Sequence, residues 1–420
     1  MTDLNVVNAA SLVTVSDAGG PRRGTGQNDI DVIDDGAVAI RDGRIVAAGT
    51  SAEVLADWHD DVPTIDASGQ TVLPGLVECH SHPLFAGERC HEYAERLAGA
   101  TLAEVAGRGG GIWSSVLATR EATDEVLTRR LARTYRQILA GGVTTLEVKS
   151  GYGLTTDHEL RQLELLAASR PSTPMQLVVT FLGAHIVPHD VTGTDRADDY
   201  TDLVEREMLP AVVAQGLAQF HDVTVEDGLF APAQALRLID ASRRAGIPVR
   251  VHADAWAPSG GWGAAVQGGA ISAEHLTYTP DEEIDALGAA DTIAVLLPIA
   301  ELVYMTDRRA NARRFIGAGV PVALATDHCS SIHATSLLNT LGVAAPWYRL
   351  TPAEAIVAAT LNAAYALGLG DECGSLDVGK RGDLIVLDCP HPDELFLAVS
   401  APLLRTVVIG GVAAIQGARR

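Results

Sequence analysis

Lysine is almost absent from this chain: Lys149 and Lys380 stand against 29 arginines, and 53 acidic side chains leave a formal net charge of −22. A nucleic-acid surface needs Lys and Arg opposite the phosphates, so nucleic acid is not an expected partner. An anionic membrane surface is disfavoured for the same reason. The skewed Lys/Arg ratio fits either a salt-adapted surface or a GC-rich genome. Aromatics are scarce, at 5% of residues, so the apolar material is mostly Ala, Val, Leu and Ile. That composition suits strand-and-helix packing better than a base- or sugar-stacking platform. The five cysteines (Cys79, Cys90, Cys329, Cys373, Cys389) show no CxxC spacing, which reads as reduced thiols and not as a disulfide framework. No uninterrupted apolar run approaches the ~20 residues that span a bilayer. The opening stretch MTDLNVVNAASLVTV lacks the basic segment and long apolar core of a signal peptide. A soluble, cytoplasmic protein is expected.

Hydrophobic residues make up 47% of the 420 positions, enough for a large buried core. The first seventy residues alternate short apolar runs with Gly and Asp turns, and Arg41-Asp42-Gly43 gives a hairpin signal after Val32–Ile40. The last fifty residues have the same character, which predicts one small β-sandwich domain built from both termini, residues 1–70 and 372–420. Between them, apolar runs recur at Val72–Val77, Val143–Val148, Gln176–Leu182, Val223–Val225, Val249–Val251, Ile271–Ala273, Ile293–Leu297 and Val320–Ala325. Segments such as Glu125–Leu139 and Ala233–Ala245 have helical spacing, and Pro232 suits the first turn of the second. Eight strands alternating with helices predict an α/β fold, a (β/α)8 TIM barrel over residues 71–371. A doubly wound sheet would want a Gly-rich phosphate turn after an early strand, and none is present.

Barrels of this kind carry their chemistry at the C-terminal ends of the strands. The first strand runs into Cys79-His80-Ser81-His82, whose two imidazoles, two residues apart on an extended segment, project to one side. The fifth ends in His252, the sixth in Glu274-His275 and the eighth in Asp327. Each alone reads as an ordinary buried histidine or a capping aspartate. Together, at the ends of four strands of one barrel, they read as a metal site.

The frame LPGLVECHSH, the later His252 and His275, and the VALATD of the eighth strand resemble the amidohydrolase superfamily. The stretches FAGERCHEYAERLAGAT (85–101), GRGGGIWSSVLATREA (107–122), GGVTTLEVKSGYGL (141–154) and FLGAHIVP (181–188) narrow the resemblance to its imidazolonepropionase family, over essentially the whole chain. The resemblance implies that His80, His82, His252 and Asp327 bind one divalent metal, zinc or iron. Asp327 would relay the proton of the attacking water, and His275 would polarise the carbonyl. Arg89, Tyr152 and His185 match positions that hold the carboxylate tail of a small anionic cyclic substrate. A guanidinium fork and a phenol are apt groups for that task, although Arg89 could equally pair with Glu88 or Glu92. A homodimer is expected by analogy with the superfamily. Two-metal members generally use a carboxylated lysine at mid-barrel, and neither Lys149 nor Lys380 offers a match, which favours one ion.

Two stretches depart from the family pattern. Where many members carry HADE, this chain has His252-Ala253-Asp254-Ala255, so a carboxylate expected near the reacting ring is missing. After the eighth strand, an Asn-Pro-Gly-Ser type loop is replaced by His328-Cys329-Ser330-Ser331-Ile332-His333, which is expected to bring two imidazoles and a thiol close to the metal. These departures leave open a related ring with the same tail, of the hydantoin or thiohydantoin kind. A ring deaminase is the other alternative within the superfamily.

Overall fold

The structure, a computed structural model, describes residues 3–56, 61–192, 195–399 and 401–417. Eight parallel strands form one sheet in chain order: β1 (Leu76–Glu78), β2 (Val143–Lys149), β3 (Gln176–Ala184), β4 (Phe220–Val225), β5 (Val249–Ala253), β6 (Ser272–His275), β7 (Ile293–Leu296) and β8 (Val322–Leu324). Neighbours in sequence are neighbours in space, as right-handed βα units require. The sheet closes where Ser81 bridges His328 and the His82 amide donates to the His328 carbonyl at 2.7 Å. Glu78 stitches the same seam, its carboxylate accepting from the backbone N–H groups of His80 and Thr326 at 3.1 Å. Burial pushes that carboxyl up to about 7 against the lowering effect of those bonds.

The helices lie where their spacing puts them, at Asp124–Leu139 and Pro232–Arg244 among others. Leu127, Leu131, Tyr135 and Ile138 recur on one face of the first and are buried against the barrel. Among the described residues no helix is long and apolar enough to cross a membrane.

The termini build two further sheets. Leu4–Ala9, Gly36–Arg41, Arg44–Thr50 and Thr64–Asp66 form one. Ser11–Val13, Val32–Ile33 and Thr71–Pro74 join the C-terminal strands Leu384–Leu387, Leu404–Ile409 and Val412–Gln416 in the other. Leu12, Val38, Ile40, Val72, Leu384 and Val408 fill the space between them. The Asp42-Gly43 turn has φ of 48° and 77°, the paired left-handed residues of a tight hairpin matched to strand twist.

One apolar run is divided differently from its sequence pattern. Val72–Val77 reads as a single strand, but the chain leaves the terminal sheet at Pro74 and enters the barrel at Leu76. Gly75 is the crossing point, and a Cβ there would meet the Thr144 Oγ1 at 2.3 Å. Only glycine lets the first two barrel strands approach so closely at the base.

His221, at the start of β4, is buried against Phe181 and bonded through Nδ1 to Ser242 at 2.6 Å. Burial lowers its pKa to about 4, against the raising effect of Asp222. The folded state therefore favours the neutral ring. The resulting stability is complete above the unfolded value near 6.5 and is lost as pH falls from there through 4, amounting to about 3 kcal/mol. Urea unfolding midpoints of His221→Gln should fall less steeply over that window than those of the parent; parallel curves would refute the assignment.

Candidate active site

The strand ends bring four ligand atoms together. The Nε2 atoms of His80 and His82 lie 3.2 Å apart, and those of His82 and His252 3.4 Å apart. Asp327 Oδ1 is 3.4 Å from His80 Nε2 and 3.6 Å from His82 Nε2. All four side chains are buried. The Nδ1 of His80 faces Glu274 Oε2 at 2.6 Å, and the Nδ1 of His252 faces Asp222 Oδ1 at 2.9 Å. Each carboxylate fixes the proton on Nδ1, so both Nε2 atoms carry bare lone pairs. Burial and Lys149 oppose a charge on His80, but Glu274 and Asp327 outweigh them and push its pKa up to about 9, so this cluster calls for a positive charge, a proton or a metal ion, among its ligand atoms. Bonds of about 2.0–2.1 Å to a tetrahedral ion set its ligand atoms about 3.4 Å apart. The spacing fits a divalent metal.

The surrounding charge points the same way. Lys149 Nζ, with no exposed surface, contacts Asp222 Oδ2 at 2.6 Å, Glu147 Oε1 at 2.8 Å and Glu274 Oε2 at 3.4 Å. Arg250 reaches Glu274 Oε1 at 2.5 Å and Glu147 Oε1 at 3.2 Å. These two cations balance two of the four carboxylates Glu147, Asp222, Glu274 and Asp327. Two negative charges are left for a divalent ion. Burial opposes the charge on Lys149, but Asp222 and Glu147 outweigh it and hold the ammonium well above the usual lysine range. Lys149 thus serves as a fixed cation between Asp222 and Glu274. Glu274→Gln keeps the shape while weakening the hold on His80, and should lower metal affinity by about 10–100-fold in a chelator competition. Unchanged affinity would remove Glu274 from this role.

Strain marks the same rim. Asp254, His275 and Asp327 have φ of 53°, 75° and 54°, left-handed conformations that non-glycine residues adopt at a cost of about 1–3 kcal/mol each. His275 sits beside the ligands, its ring centroid 5.5 Å from that of His80 and 5.4 Å from that of His252. Burial lowers its pKa to about 3, so it is a neutral imidazole near pH 7.

A narrow cleft opens over these groups, lined by Arg89, Tyr152, His185, His275 and Asp327, with the His185 ring stacked on that of His82 at 5.3 Å. The Tyr152 hydroxyl donates to Ser330 Oγ at 3.2 Å and accepts from the Ser330 amide at 3.3 Å. Arg89 donates to Ser330 Oγ at 3.3 Å, and its Nε pairs with Glu92 at 2.8 Å. The ion pair and the cleft position coexist: Glu92 orients the fork while Arg89 still lines the cleft. His185 Nδ1–H donates to the Gly151 carbonyl at 2.9 Å, which frees Nε2 as an acceptor. Burial lowers its pKa to about 4.

The two departures have different outcomes. At the first, the Ala255 amide donates to Glu226 Oε2 at 2.6 Å, and Glu226 lines the cleft beside it. A carboxylate from the end of β4 therefore stands where the fifth-strand segment lacks one. At the second, the expectation of two imidazoles beside the metal is corrected. Cys329, Ser330 and Ser331 line the cleft, whereas His328 and His333 face a different cavity, packed with Phe85. A tight turn closed by the Cys329–Ile332 bridge puts residues 329–331 on the cleft and leaves the two histidines at its ends on the other side. Burial pushes the Cys329 thiol up to about 12, so it is not a thiolate. Trp256 lines the cleft, while Trp262 is buried against Phe315.

Fold, ligand spacing and charge define a metal-dependent hydrolase of the (β/α)8 class. Residues 71–414 match the amidohydrolase family, and residues 36–60 match the imidazolonepropionase-like composite domain of bacteria. The imidazolonepropionase of Symbiobacterium thermophilum is 46% identical over 92% of this chain and 91% of its own length. That of Geobacillus kaustophilus is 42% identical over 98% of this chain and 97% of its own. The protein belongs to the amidohydrolase family and, within it, to the imidazolonepropionases. Among solved structures, a zinc-bound adenosine deaminase from Xanthomonas campestris superposes with a TM-score of 0.72 at 21% identity, covering 99% of this chain and 93% of that one. An atrazine chlorohydrolase from Arthrobacter aurescens complexed with zinc gives 0.71 at 17%, covering 99% and 95%. At such identities the likeness is one of fold.

Proposed function

We propose that the enzyme hydrolyses the ring of 4-imidazolone-5-propanoate to N-formimino-glutamate. The observation that carries this reading is a single cleft lined by both Arg89 and Tyr152 and by His82, His252 and Asp327 of the candidate metal cluster. The relatives named imidazolonepropionase supply the substrate. Zinc is the assigned ion, from three imidazoles and one carboxylate at tetrahedral spacing, with iron the alternative that elemental analysis separates. A divalent ion so held acidifies a water and polarises a carbonyl.

The chain's own groups do the rest. Arg89 and Tyr152 hold the propanoate tail and turn the ring carbonyl toward the ligand cluster. Asp327 accepts the proton of the attacking water as oxygen adds to the carbonyl carbon. When the C–N bond breaks, the same proton passes to the departing nitrogen. The neutral His275 ring donates a hydrogen bond to the oxygen on which negative charge gathers. Glu226 lines the cleft from the end of β4, its oxygens held by the Ala255 and Ala257 amides and the Ser259 hydroxyl. A hydantoin-like ring and a deaminase are less favoured: the similar proteins are named imidazolonepropionase, and a deaminase has no use for the tail clamp.

Arg89→Met should raise KM for imidazolonepropionate by about 10-fold or more, a charge-assisted contact of roughly 1.5–3 kcal/mol being lost, with kcat changed far less. An unchanged KM would take Arg89 out of the binding site.

A further inference from the structure

His328 and His333 have no place in the hydrolytic cleft, yet they meet in a second cavity on the far side of the loop, with a volume of about 570 Å³. Its opposite wall is the helix Asp124–Leu139, which supplies Arg129, Arg130, Arg133 and Arg136. Arg130 pairs with Glu88 at 3.0 Å and lies over the Phe85 ring. Arg129, Arg133 and Arg136 make no ion pair among the described residues. Their spacing of four and three places them on one stripe of the helix, where like charges destabilise. Glu88 on the cavity wall and Glu125, one turn before Arg129, are the carboxylates near this stripe, which leaves the four guanidinium groups in excess over them in a chain of 53 acidic and 31 basic residues.

The facing wall adds an independent sign. His328 is 3% exposed, and its ring has only the Ala334 backbone as a nearby hydrogen-bonding group, with no partner at regular geometry for either nitrogen. A buried imidazole with at most one of its two nitrogens satisfied costs free energy that a ligand oxygen would recover. Guanidinium groups on one side and an imidazole on the other suit an oxyanion bearing several charges, and the volume lies in the range of small-molecule sites.

We propose that this cavity, bounded by Arg129, Arg133, Arg136, His328 and His333, binds a small, multiply charged oxyanion, a phosphate or a polycarboxylate. It is separate from the substrate cleft, whose own loop residues are Cys329, Ser330 and Ser331.

The test is calorimetric titration of the full-length, metal-loaded enzyme with inorganic phosphate and, separately, with citrate, at ionic strength held constant with chloride. Saturable binding of one anion per chain is expected for at least one of them, and which one binds identifies the chemistry. The Arg129→Gln/Arg133→Gln/Arg136→Gln variant should bind it at least tenfold more weakly while hydrolysing substrate normally in chloride. No saturable binding of either anion, or equal affinity in parent and variant, would overturn the proposal. So would binding that survives in the triple variant but is abolished by Arg89→Met, since the anion would then be in the substrate cleft.

Discussion

Asp327→Asn will lower kcat for imidazolonepropionate by about 10³-fold, within the 10²–10⁴ range of a positioned proton-transfer group. The side chain is held at the end of β8 with a left-handed backbone, 3.4 and 3.6 Å from the two imidazoles of the HxH pair. An amide fills the same volume and offers an oxygen to the ion, yet it can neither accept nor return a proton. The loss should therefore fall on kcat with KM little changed, in protein that still carries metal. A variant retaining more than a tenth of parental kcat with its metal in place would show that another group moves the proton.

Lys149→Met should be the most destabilising single change at the site. Methionine nearly matches the shape, but Glu147, Asp222 and Glu274 lose their shared ammonium at full burial. Breaking such a buried pair costs about 3–5 kcal/mol. In a protein of this size that corresponds to a fall of roughly 3–6 °C in melting temperature. Adding Glu147→Gln removes one of the stranded charges, so the double variant should melt above Lys149→Met alone. A single variant melting with the parent would mean that Arg250 and the metal suffice to balance these carboxylates.

The candidate metal residues are legible in the sequence because each is a local signal: a polar side chain at the end of an apolar run. The barrel is legible for a similar reason, since strands buried on both faces read as near-continuous hydrophobic stretches. Glu147, Lys149, Asp222, Arg250 and Glu274 carry a signal too. They are charged residues inside otherwise apolar strands, where a charge survives only with a partner. Their pairing is not legible, because the partners lie on different strands and only barrel closure brings them together. Glu226 is hidden likewise: it replaces a missing carboxylate from an adjacent strand, not from the same segment. The loop at 328–333 misleads because proximity in sequence to Asp327 says nothing about which way each side chain faces. Gly75 shows the same limit within a strand, where an unbroken apolar run crosses between two sheets.

The measurement that tests the central reading most directly pairs elemental analysis of the purified enzyme with ring opening of imidazolonepropionate, followed by its ultraviolet absorbance, before and after chelation. About one divalent ion per chain, turnover, and loss of turnover on stripping that returns with the ion are the predicted results. Full turnover by metal-free protein, or a metal-loaded enzyme inert toward this ring, would contradict it.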